Sequence, residues 1–160
     1  MPRPFVGRSR VRRQAAARGP ALPHRLRTDF TVGDPVLTVD DDGNFYYASL
    51  YTADGSQLGV SVSRGRFRGR SFSFGPPVLA GLPGEASDLD KEWIAADPEN
   101  GNLYLSYTRF FFSGTQQIEL VRSRDRGRTW SAPVVLTDST REAPQGSRPI
   151  VGPDHEVYVV

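Results

Sequence analysis

From Asp34 onward, apolar residues come in short runs broken by Asp, Gly, Asn and Pro, and no 3.6-residue stripe joins them. The stretch PVLTVDDDGNFYYASLY is an apolar run, an Asp-Asp-Gly turn and an aromatic run, which is the pattern of a β-hairpin. WIAADPENGNLYLSYT repeats it with Asn100-Gly101 in the turn, and PIVGPDHEVYVV is a third copy opened by Pro153-Asp154. Tyr46, Tyr104 and Tyr158 occupy matching places, 58 and then 54 residues apart.

The segments between the hairpins repeat as well. GVSVSRGRFRGRSFSFGPPVLAG aligns with IELVRSRDRGRTWSAPVVLTD, so that Phe72 falls on Trp130, again 58 residues on. Each unit therefore reads as four short strands: two in the hairpin, one before a charged run and one after an aromatic residue. A four-stranded unit repeated every 50-odd residues is the signature of a β-propeller blade. The predicted fold is all-β, an incomplete β-propeller of four-stranded antiparallel blades. Blades are expected at about 31–81 and 88–138, and a third begins at 146–160.

The charged run of the second unit is SRDRGRTW, residues 123–130. A short carboxylate at Asp125 can accept bonds from nearby backbone N–H groups, and Gly127 can take the positive φ of a sharp reversal. Thr129 can tie the loop with its hydroxyl, and Trp130 can drive a large apolar surface beneath it. This reads as a structural staple. Ser123, Asp125, Gly127, Thr129 and Trp130 match S-x-D-x-G-x-T-W, and the segment resembles the Asp-box, or BNR repeat, of the sialidase (neuraminidase) superfamily. The resemblance covers about residues 31–160 and includes DKEWIAADPENGNLYLSYT, which is similar to the inner hairpin of bacterial sialidase-like propellers.

That resemblance implies a six-bladed ring, an exo-α-sialidase type of glycoside hydrolase and a glycan partner carrying sialic acid. It also implies three arginines for the sugar carboxylate, a carboxylic acid for the leaving group and a tyrosine nucleophile paired with a glutamate. The Asp-box itself lies at the blade periphery in that family, away from the chemistry. Carry-over of the catalytic set is poor. The first arginine of the family sits in an aromatic-Arg-Ile-Pro motif, and this chain offers only Arg148-Pro149-Ile150, in another order. The other two arginines and the tyrosine–glutamate pair have no assignable counterparts.

In a propeller the loops leading into the innermost strands face the central pocket. Here these are VGDP (32–35), SDLDKEW (87–93) and QGSRP (145–149), which supply Asp34, Asp88, Asp90, Lys91, Glu92 and Arg148. Asp90, Glu92 and Arg148 are the candidates for chemistry, set against a plainer reading as contacts between blades or a structural ion pair. DDDGN (40–44) has carboxylates close enough to suit calcium, but it lacks the further ligands of a calcium loop, and a hairpin turn explains it. His24 and His155 are isolated, so no metal site or triad is expected, and no other cofactor is implied. RGRFRGR (64–70) could stack and neutralise a nucleic acid. The repeat alignment instead makes it a longer, aspartate-free version of the same hairpin loop.

Composition changes this picture at the ends. The 160 residues suffice for one ordinary domain, and there is no cysteine. The formal net charge is +2, yet residues 1–27 hold eight arginines and no acid, which leaves −6 on residues 28–160. Residues 1–27 read as a disordered Arg/Pro-rich tail, with neither nucleic acid nor a membrane span expected as a partner. The tail lacks the apolar stretch of a secretory signal, although the family resemblance implies an extracellular or cell-envelope setting. Residues 28–160 amount to roughly two and a half blades of about 55 residues, where six would need about 330. The expectation is a fragment of a larger sialidase-like hydrolase, inactive on its own. The alternative is a non-catalytic Asp-box propeller that binds glycans or proteins.

Overall fold

The computed structural model describes residues 33–52, 55–137 and 143–160. The tail of residues 1–27, with His24, lies outside the described residues.

The described chain is all-β, in three antiparallel sheets. Sheet 1 holds β1 (Val36–Val39), β2 (Asn44–Tyr51), β3 (Gly59–Arg68), β4 (Ser71–Phe74) and β5 (Val78–Gly81). Sheet 2 runs in chain order through β6 (Ser87–Ala96), β7 (Leu103–Phe111), β8 (Gln116–Ser123) and β9 (Val134–Val135). β10 (Pro149–Val151) and β11 (Val157–Val159) make the third. Among the described residues the sheets do not close into a ring.

Each first hairpin is fixed by an aspartate in its turn. Asp40 accepts from the Asn44 backbone N–H at 2.9 Å, from the Asn44 amide nitrogen and from the Tyr46 hydroxyl at 2.7 Å. These bonds hold its carboxyl below the usual range even though burial opposes them. The recurring tyrosine is thus explained in the first unit: its ring is core and its hydroxyl caps the turn. Asp97 does the same for the second turn, accepting from Glu99 N, Asn100 N and the Asn100 side chain. Of the DDDGN carboxylates proposed for calcium, Asp40 is therefore occupied by its turn, and Asp42 pairs with Arg126.

Period-2 alternation decides what each sheet buries. Tyr46, Ala48 and Leu50 of β2, with Val60 and Val62 of β3, face sheet 2. They form one core with Leu89, Ile94, Leu103, Leu105, Tyr107 and Val121. Burying each Val, Leu or Ile of this set stabilises the packing by about 1.5–3 kcal/mol. The sheets are also stitched by hydrogen bonds. Leu58 N donates to Asp88 Oδ1 at 2.8 Å, Leu89 N to Leu58 O at 2.9 Å and Ala96 N to Thr38 Oγ1 at 3.3 Å. β6 lies against both β1 and β10, so the first strands of the three sheets are neighbours.

Sheet 1 departs from the expected four-stranded pattern. RGRFRGR is not a loop: β3 runs through it to Arg68, turns at Gly69-Arg70 and returns as β4. Gly69 has a φ of +62°, which suits the first position of a two-residue hairpin turn. The outer strand is then split, because Gly75-Pro76-Pro77 cannot continue a ladder, and β5 pairs with β3 further back.

Candidate functional site

Of the three segments read as loops into inner strands, residues 87–93 lie inside β6, and that strand is irregular. Asp90 pairs with Thr108 and Trp93 with Ser106, so three steps on β6 oppose two on β7. This is a β-bulge. Lys91 sits at its centre with a φ of +57°, a left-handed geometry uncommon for a residue with a side chain. The bulge has a direct consequence for side-chain placement. In a regular strand Leu89 and Glu92 would point to opposite faces. Here both are buried, together with Ile94.

Glu92 is only 2% exposed, and neither carboxylate oxygen has a hydrogen-bond donor at bonding geometry. Burial pushes its carboxyl up to about 7, the nearby charges of Asp90 and Asp34 push the same way, and backbone amides at Glu92 and Leu50 offset only part of this. Beside it, the Lys91 ammonium lies 3.4 Å from Asp90 Oδ2 and 3.5 Å from Asp34 Oδ2. Asp90 Oδ1 accepts from the Lys91 backbone N–H at 2.6 Å. The Asp90 and Asp34 carboxylates hold Lys91 above its ordinary range. Asp88, also on β6, is turned away to the Leu58 stitch.

Arg148 enters from the third sheet. Its guanidinium lies 4.2 Å from the centre of the Trp93 ring, a cation–π stack, and no carboxylate among the described residues pairs with it. The structure thus gathers Asp34, Asp90, Lys91 and Glu92 at one bulge and stacks Arg148 on the next residue of the same strand.

Sequence reasoning missed a second polar cluster in sheet 2. Arg109 Nε and Nη2 donate to the two oxygens of Glu119 at 2.7 and 2.9 Å, a bidentate pair, and Nη1 reaches Ser87 at 2.9 Å. Gln117 donates to Glu119 at 2.7 Å. Despite burial, these bonds and the charge of Arg109 hold Glu119 below the usual carboxylate range. Tyr107 stands opposite Glu119 in the β7–β8 ladder. A tyrosine beside a glutamate is therefore present, but Tyr107 is 1% exposed and burial raises its hydroxyl further from ionisation. That is the state of a core tyrosine, not of an accessible nucleophile. A recess of about 430 Å³, lined partly by Ser87, Arg109, Phe111 and Gln117, opens beside the pair. The signal in sequence was a charge within each strand, in SYTRFF and QIELV.

The 123–130 loop is closed on itself. Asp125 Oδ1 accepts from Arg128 N at 3.1 Å, Thr129 N at 2.9 Å and the Ser123 hydroxyl at 2.8 Å, while Oδ2 accepts from the Thr129 hydroxyl at 2.6 Å. Gly127, at φ +81°, donates its N–H to Ser123 Oγ at 2.8 Å. A Cβ there would stand 3.4 Å from Leu103 Cδ1. Trp130 packs on the edge of the core, and Arg126 reaches across to Asp42 in the first turn of sheet 1. His155 likewise ties the third sheet to the second, with Nδ1 2.9 Å from Asp97 Oδ2.

No family model matches the chain, and no curated protein matches it. Among solved structures it is similar to "Hadza microbial sialidase Hz136", with a TM-score of 0.55 and 19% sequence identity over 76% of this chain. The match covers 30% of that protein's length. Likeness at this identity shows the fold: the antiparallel sheets of this chain are arranged as in a sialidase.

Proposed function

We propose that these sheets are consecutive blades of a sialidase-like glycoside hydrolase of the exo-α-sialidase type, and that the β6 bulge lies on its glycan-facing side. The observation that carries this reading is Glu92, a buried carboxyl with no donor at bonding geometry, raised to about 7 at the bulge in the middle of β6. Glycoside cleavage needs a group that gives a proton to the departing oxygen. A carboxyl that titrates near neutrality is about half protonated there and can give and regain a proton, once the bulge opens to uncover a side chain that is only 2% exposed here. Arg148 complements it. Its guanidinium is stacked on Trp93 rather than spent on a carboxylate, so its N–H edge is available to the carboxylate of an acidic sugar.

Among the described residues one such arginine stands at the bulge, and the tyrosine–glutamate pair of sheet 2 is buried. The 160-residue chain is therefore expected to be inactive alone, with activity belonging to a polypeptide in which further blades complete the pocket. The test is an assay on a fluorogenic sialoside with the chain alone and with a form extended by the neighbouring blades. The extended protein should turn over, and Glu92→Gln should lower kcat by at least about 100-fold. Turnover by the chain alone, lost in Arg148→Ala, would contradict the incomplete-pocket reading.

The buried state of Tyr107 favours a second reading, a non-catalytic propeller that binds glycans or proteins at the same face. Glycan binding by the extended protein without turnover would establish it.

A further inference from the structure

The β3–β4 hairpin occupies, by the repeat, the place that the self-closed 123–130 loop holds in sheet 2. It has no staple of its own, and its side chains are sorted by face. The register pairs Arg66 with Ser73 and Arg68 with Ser71, and it pairs Phe67 with Phe72 and Gly65 with Phe74. One face is therefore arginine and serine, the other aromatic. Phe67, Phe72 and Phe74 are 57%, 37% and 43% exposed. They pack edge-to-face with one another and with Phe45, and Gly65 leaves the space they fill. Among the described residues, Arg66, Arg68 and Arg70 pair with no carboxylate, whereas Arg109 and Arg126 both do.

The edge beyond this hairpin is open. Among the described residues β4 pairs only with β3. Gly75 N donates to Arg64 O at 2.8 Å, which fixes the phase of the ladder: Ser71 and Ser73 bond inward, and the backbone N–H and C=O groups of Phe72 and Phe74 point away from β3.

We propose that this hairpin is a docking edge for an extended acidic segment of a partner protein, which adds as a strand beside β4. Three features of that partner follow from the hairpin. Its backbone would satisfy the outward groups of Phe72 and Phe74. Acidic side chains at every second position recur at about 7 Å, the same repeat as Arg66 and Arg68. The alternate apolar side chains would lie against the aromatic face. The chain's own residues 1–27, with eight arginines and no acid, have the wrong charge for this place. A nucleic acid strand would use the arginines and leave the outward amides of β4 without partners.

The test is a fluorescence-anisotropy titration of the full chain with a labelled peptide of roughly eight alternating Glu and Val residues, long enough to span β4. Three probes accompany it: the same peptide N-methylated at alternate residues, a single-stranded oligonucleotide of equal charge, and the Arg66→Glu/Arg68→Glu variant. The exposed hairpin tolerates that double change, and circular dichroism verifies the fold. Binding should weaken about tenfold or more on N-methylation and again in the variant. Equal binding of the plain and N-methylated peptides would overturn the proposal, as would tighter binding of the oligonucleotide or no peptide binding.

Discussion

Asp125 and Glu92 are carboxylates of the same sheet with opposite surroundings. Asp125 receives four hydrogen bonds from its own loop, and these lower its carboxyl below the ordinary range although burial opposes them. Glu92, two strands away, is more deeply buried and receives none at bonding geometry. The first is a device for closing a turn, built entirely from residues within seven positions of one another. The second exists because a bulge rotates one residue into the core. The 123–130 motif is thus the chemically quiet one, and the raised carboxyl lies in a hairpin segment that carries no catalytic motif. Glu119 stands between them: it is as buried as Glu92 but answered by a bidentate arginine.

The comparison can be broken from several sides. The largest effect is expected from Arg109→Ala, which would leave the buried Glu119 without its charge partner and with Gln117 still donating to it. Chemical denaturation should show a loss of about 3–5 kcal/mol, and the Glu119 carboxyl should move from below to above its ordinary range. Glu92→Gln tests the opposite case. The folded-state value of Glu92 is raised, so the folded protein holds its proton longer than the unfolded chain, and stability falls as pH rises from about 4.5 to about 7. Between pH 5 and pH 8 this amounts to about 2–3 kcal/mol, and the variant should lose that slope in unfolding curves taken across the range. Asp125→Ala should cost about 2 kcal/mol at neutral pH by releasing the loop donors. Because the Asp125 value is lowered, its contribution is present above the unfolded value near 3.8 and fades as pH falls through the folded one. Thermal melts at pH 7 and pH 3 should therefore separate wild type and variant less at the lower pH. Arg126→Ala, which removes an exposed pair with Asp42, should cost at most about 1 kcal/mol, and less in high salt.

The three sheets were legible because alternation and turn residues are local signals. Val-Leu-Thr-Val before Asp-Asp-Gly, or Leu-Tyr-Leu-Ser-Tyr after Asn-Gly, needs no distant partner to be read. The outer part of sheet 1 was misread for an instructive reason. Arg66-Phe67-Arg68 and Ser71-Phe72-Ser73-Phe74 alternate as strands do, but alignment on the 123–130 loop outweighed that pattern. Asp90, Glu92 and Arg148 were named as candidates by position alone, while the properties that single out Glu92 were not legible. Its burial depends on the left-handed Lys91, and no residue type announces a bulge there. The Arg109–Glu119 pair was missed because it forms across the β7–β8 ladder, whose register is set by the turn after Phe111. The stack of Arg148 on Trp93 joins residues 55 positions apart and depends on how sheets 2 and 3 meet.

The central claim is that the β6 bulge holds a carboxyl poised near neutral pH. It is tested most directly by following the side-chain carboxyl carbon of Glu92 by NMR in the full chain, assigned through Glu92→Gln. A titration midpoint near 7, well separated from the other glutamates, is the expected result. A midpoint in the ordinary range, about 4.3, would mean that Glu92 is solvated or partnered, and the proposed chemistry would have no proton donor at this site.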